Sequence, residues 1–75
     1  MRKHINVTRQ QLNNIVAANP TFLIEWDTFG IPDLLTSKEL DLKTRRIENA
    51  RGPKMFDVEV NEVFRTVHVT QVDTV

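Results

Sequence analysis

The segment from Gln10 to Pro32, QQLNNIVAANPTFLIEWDTFGIP, constrains the chain most, because helix starts and stops can be read in it residue by residue. Thr8 is placed to cap a helix, and Gln11 three positions on completes a capping box just ahead of Leu12. Leu12, Ile15 and Val16 then share one face at helical spacing. Small Ala17 and Ala18 let two helix ends approach. Asn19-Pro20 has the form of an N-cap with proline at the first helical position. The spacing therefore predicts a second helix, with Phe22, Leu23, Trp26 and Phe29 inward and Thr21, Ile24, Glu25 and Thr28 outward. Gly30 and Ile31-Pro32 supply its stop. A helix of about nine residues is roughly 14 Å long and suits a major groove about 12 Å wide.

The other pieces are shorter. Met1 to Val7 is a leader in which Ile5 and Val7 can pair as an edge strand. Residues 33–56 read as an enlarged wing: Thr36 and Glu39 form a second capping box leading to Leu40, and Leu42 to Ile47 follows as a strand. A rival places a helix-turn-helix at Thr36 to Gly52, with Arg45, Arg46 and Arg51 on a basic second helix. For residues 57–68 two patterns compete. Phe56, Val58 and Val60 alternate as in a strand. Val60, Val63, Phe64 and Val67 keep helical spacing, with Asp57 as cap and Glu59 in the first turn, and this predicts a last helix. Residues 69–75 form a tail, and no repeat stands out.

Seventy-five residues make one domain with a small core. With no cysteine, neither a disulfide framework nor a thiolate metal site is available. No apolar run reaches the length of a membrane span, and MRKHINVTRQQ lacks the apolar core of a signal peptide, so a cytoplasmic protein without membrane contact is expected. The ten basic and ten acidic residues cancel, so any attraction for nucleic acid requires charge segregated onto one face. His4 and His68 stand far apart, without the spacing of a metal site or a catalytic dyad, and read as surface residues. No phosphate loop or nucleophile motif occurs. The expectation is a binding protein rather than an enzyme, without cofactor or metal.

The pattern Gln11-Leu12, Ala17, Leu23, Trp26, Gly30-Ile31-Pro32, followed by GPKMFDVEVNEVFRTV from Gly52 to Val67, resembles the winged helix-turn-helix domains of phage excisionases, MerR-type and AlpA-type regulators, and small terminase subunits of lambda-like phages. The two segments cover about half of the chain. The resemblance implies a small α+β winged helix-turn-helix, about three helices with a β-hairpin wing: residues 8–30 the helix-turn-helix, 57–68 the last helix. It also implies sequence-specific binding of double-stranded DNA, architectural and recruiting, with a larger phage or host protein (an integrase, terminase or polymerase) as partner and self-association along the DNA. A DNA-recognition domain cut from a longer small terminase subunit is a related possibility.

On this reading Pro20, Thr21, Ile24, Glu25 and Thr28 approach base edges. Arg9 and the wing cations Lys43, Arg45, Arg46, Arg51 and Lys54 contact phosphates. Trp26, beside Phe22 and Leu23, reads as a core anchor rather than a stacking platform. The outward face of the second helix has no Arg or Lys, a departure from recognition helices. It motivates an alternative: a module that binds a host or phage protein through Ile24, Glu25 and the Glu59–Glu62 acidic patch, without DNA contact.

Overall fold

The computed structural model describes residues 1–28 and 30–72. Two helices pack on one face of a five-stranded mixed sheet, and the element order is β1 Arg2–Val7, α1 Arg9–Ala18, β2 Leu23–Thr28, β3 Ile31–Leu35, α2 Ser37–Arg51, β4 Met55–Asn61 and β5 Thr66–Val72. The winged helix-turn-helix is therefore not the fold. Such a domain has about three helices, whereas two helices and a five-stranded sheet are found here.

The spatial order is β1-β4-β5-β2-β3. Only β2 and β5 pair in parallel; the other neighbours are antiparallel. Hence β1 and β2 run one way, and β3 and β4 the other. The β1-α1-β2 connection crosses two strands in one direction, and β3-α2-β4 crosses back with its strands reversed. Reversing travel and strand direction together preserves handedness, so the right-handed rule for such crossovers puts both helices on the same face. They meet there, and among the described residues no element packs on the sheet's other face.

The two crossovers share a local device, although no repeat is evident at first reading. Val7-Thr8-x-x-Gln11-Leu12 matches Leu35-Thr36-x-x-Glu39-Leu40. In each a strand runs into a threonine N-cap whose side chain accepts from the N3 backbone N–H, while the N3 Gln or Glu accepts from the cap's own N–H. The residue before each cap and the leucine four positions beyond it sit as in a hydrophobic staple. Leu12 and Leu40 are both fully buried, and one turn on Thr44 is too while Val16 is 9% exposed. The Thr44 hydroxyl donates back to the Leu40 carbonyl at 2.9 Å, which satisfies the one buried polar side chain among the described residues.

The predicted second helix is a strand. Asn19 does not open a helix but closes α1, its Nδ2 donating to the Ile15 carbonyl at 2.8 Å. From Leu23 to Thr28 the sequence also alternates, and with Ile24, Trp26 and Thr28 favouring strand the alternation prevails. Ile24 and Trp26 are each 4% exposed, whereas Leu23, expected inward, is 57% exposed. Gly30 ends no helix; at φ 81 it lies in the turn to β3, its N–H donating to Asp27 Oδ1 at 2.8 Å. Ile31-Pro32 starts edge strand β3 rather than stopping a helix. The inward place expected for Phe29 lies outside the described residues.

The wing strand Leu42 to Ile47 is likewise replaced, by the middle of α2, so only the helical part of the rival at Thr36 to Gly52 is found. Residues 57–68 form no helix: they belong to the hairpin of β4 and β5. Phe56, Val58, Val60, Val67 and Val69 are buried by strict alternation, and Val63 and Phe64 lie in the connecting turn, 87% and 75% exposed. Asn61 Oδ1 accepts from the N–H groups of both turn residues. The leader is an edge strand as its sequence indicates, and Trp26 is a core residue, edge-on to Phe56 at 6.0 Å between centroids.

Candidate nucleic-acid interface

Of the cations expected to touch phosphates, Arg9 is engaged within the fold. From α1 its Nη1 donates to Asp41 Oδ1 and its Nε to Glu48 Oε1, both at 3.0 Å and both on α2. Asn13 Nδ2 also donates to Asp41, at 3.3 Å. These carboxylates fasten the two helices together and engage the Arg9 guanidinium within the fold. Lys43 is partly covered too, its Nζ lying 5.2 Å from the Trp26 ring centroid.

The remaining wing cations lie on or beside α2. Arg45 and Arg46 are exposed on its outer side, Arg45 paired with Asp41 at 3.2 Å one turn back. Arg46 makes no ion pair among the described residues. Arg51 ends the helix, where a cation complements the carbonyl-end dipole. Lys54 follows after Gly52, its backbone N–H donating to Glu48 Oε2 at 3.2 Å. At 3.6 residues per turn, Lys38, Leu42, Arg45, Arg46 and Asn49 fall on one exposed stripe. Lys38 is absent from the sequence reading, and the exposed i, i+4, i+7, i+8, i+11 spacing was the signal that could have added it.

The expected base-reading residues do not join this stripe. Pro20 and Thr21 are exposed in the link between α1 and β2, and Thr28 is exposed at the end of β2. Ile24 points into the core and cannot touch a base. Glu25 points to the uncovered side of the sheet, because alternation sets it opposite Ile24 and Trp26.

That uncovered face is acidic. By register Lys3, Glu59, His68 and Glu25 lie side by side across β1, β4, β5 and β2, and Asp57, Thr70 and Asp27 form the next row. His68 sits among carboxylates, with Nε2 3.2 Å from Asp27 Oδ2 and Nδ1 3.7 Å from Glu25 Oε1. It is thus a half-buried residue of a polar row rather than a plain surface histidine. His4 lies on β1 opposite Val58, partly buried. Among the described residues no group of three or more His, Cys, Asp or Glu has metal-site geometry, and no helix is long and apolar enough to cross a membrane.

A cleft of about 580 Å³ opens between the end of α1, the start of β2 and the start of α2. Its ionisable wall residue, Asp41, is already held by Arg9 and Arg45. The molecule therefore presents two chemically opposite faces: a cationic helix stripe and, on the far side of the sheet, an anionic surface. No family model, curated protein or solved structure matches the chain.

Proposed function

We propose that this chain is a non-catalytic module that binds double-stranded DNA through the exposed stripe of α2, by contacts to backbone phosphates. The observation that carries the reading is the segregation of charge. Lys38, Arg45 and Arg46 share one helix face, while Glu25, Asp27, Asp57 and Glu59 lie on the other side of the sheet, where they would repel a polyanion and so fix its approach to the helix side. A 15-residue helix is about 22 Å long at 1.5 Å per residue and spans several phosphates of a duplex. Asn49, on the same stripe, adds an amide able to hydrogen-bond a phosphate or a base edge.

Base reading by residues 20–28 is no part of this proposal, since Ile24 is core and Glu25 faces away. The test is an amide chemical-shift titration of the labelled protein with a mixed-sequence duplex at low salt. Perturbations centred on residues 38–49 support the reading. Perturbations centred on the open face of β4, β5 and β2, or none at all, refute it.

A further inference from the structure

We infer that, free of nucleic acid, copies of this chain associate head to tail, the α2 stripe of one lying on the open sheet face of the next. The open face is a five-stranded surface over which, among the described residues, no other element packs. Its centre carries Glu25, Asp27, Asp57 and Glu59 against Lys3. Apolar side chains border these acids: Leu34 lies beside Glu25 in the register and Leu23 two residues along β2, 64% and 57% exposed, with Phe64 at the hairpin tip. An occupant that satisfies such a face presents cations around an apolar side chain, with the length of the sheet.

The α2 stripe has that chemistry. Leu42, 43% exposed, has Lys38 and Glu39 on one side and Arg45 and Arg46 on the other, so three cations and one carboxylate surround it. The helix is about 22 Å long at 1.5 Å per residue. The sheet is about 19 Å across its five strands at ~4.8 Å spacing, so the two dimensions match. Within one chain the two faces lie on opposite sides of the sheet and cannot meet, so complementarity is met only between copies. Zero net charge removes the long-range repulsion that would otherwise keep like molecules apart. Because the paired surfaces differ, the contact is heterologous and propagates into a ring or an open chain.

The same helix serves DNA in the proposed function, so duplex and neighbouring copy compete for it. The sheet face belongs to self-association alone, and the two ideas can fail separately.

Sedimentation velocity over a range of concentrations, at low salt and at about 1 M salt where the screening length is ~3 Å, is the test. Association at low salt that disappears at high salt is expected. Glu25→Lys with Glu59→Lys, and separately Arg45→Glu with Arg46→Glu, should each leave folded monomers by circular dichroism. Mixed together, these two variants should associate again in alternation, since one then has two cationic faces and the other two anionic ones. The neutral pair Glu25→Gln with Glu59→Gln should weaken self-association while duplex binding persists. A wild-type chain that stays monomeric at low salt, association that neither charge reversal affects, or reversed variants that do not combine would each overturn the proposal. Association insensitive to salt would point instead to pairing of edge strand β3 and would equally overturn it.

Discussion

Lys43 of α2 holds its ammonium 5.2 Å from the centroid of the Trp26 ring, so the chain's single tryptophan is covered by a helix on the side that β2 does not protect. Its indole emission should be blue-shifted and poorly quenched by iodide. Trp26→Ala should cost about 3–5 kcal/mol through the cavity left against Phe56, a large share of the stability of so small a domain. Lys43→Ala should cost only about 0.5–1 kcal/mol. Emission typical of a water-exposed indole would contradict the packing.

Arg9 is a structural residue on this account. Arg9→Ala removes the α1 cation from Asp41 and Glu48, leaving Asp41 only its bond from Asn13 on that side, and should lower stability by about 1–2 kcal/mol, discounted for partial exposure. It should leave the salt dependence of DNA binding unchanged, since the guanidinium is not offered to phosphates. A slope that falls by about one on this substitution would return Arg9 to the interface.

The two capping boxes differ in one atom of consequence. Gln11 closes the first with an amide, whereas Glu39 closes the second with a carboxylate whose pKa is lowered by its hydrogen bond from the Thr36 backbone N–H and then by the Thr36 side chain. A depressed carboxylate pKa contributes stability that is fully present above the unfolded value and is lost as pH falls through the folded one. A carbon-detected titration should place Glu39 below an ordinary glutamate. Glu39→Gln should keep the cap at neutral pH while removing this acid dependence. An ordinary midpoint for Glu39 would show that the box is not formed in solution.

Gly52 follows α2 at φ 81 and ψ 178, a region open essentially to glycine alone. An added Cβ would meet nothing within 4 Å, so the effect of Gly52→Ala is one of backbone strain and not of collision. A loss of about 1–3 kcal/mol in denaturant unfolding is expected. An unchanged midpoint would mean that the helix ends differently.

The elements legible in the sequence were those with a chemical signature at one position. The Thr8-Gln11 and Thr36-Glu39 boxes mark the true starts of both helices, and the β-branched leader marks β1. The strands of the central sheet were misread because a short run can satisfy two periods at once. Val60, Val63, Phe64 and Val67 keep helical spacing only because a hairpin turn separates two alternating strands by the right count. The Asn61 side chain that makes this turn is a weak signal beside four apolar residues. Asn19-Pro20 misled in another way: asparagine caps either end of a helix, and here it bonds backward to Ile15.

The misread strands also hid the candidate interface. Its stripe runs through residues that read as a wing strand from Leu42 to Ile47, and Lys38, Leu42, Arg45, Arg46 and Asn49 share a face only when that segment is helical. The acidic face could not be read at all without the pairing that sets β5 between β4 and β2. Glu25, Glu59 and His68 are neighbours only across strands far apart in sequence.

The central claim, that the α2 stripe holds DNA phosphates, is tested most directly by the salt dependence of binding to a labelled mixed-sequence duplex, followed by fluorescence anisotropy. Three cations on the stripe predict a log–log slope of about −2.7 for the wild-type chain, weakening to roughly −1 in the folded Arg45→Ala, Arg46→Ala variant, with binding reduced on all sequences alike. Thr21→Ala should leave both slope and sequence preference as they were. A wild-type chain that does not bind at low salt, or a double variant that binds with the wild-type slope, would contradict the account.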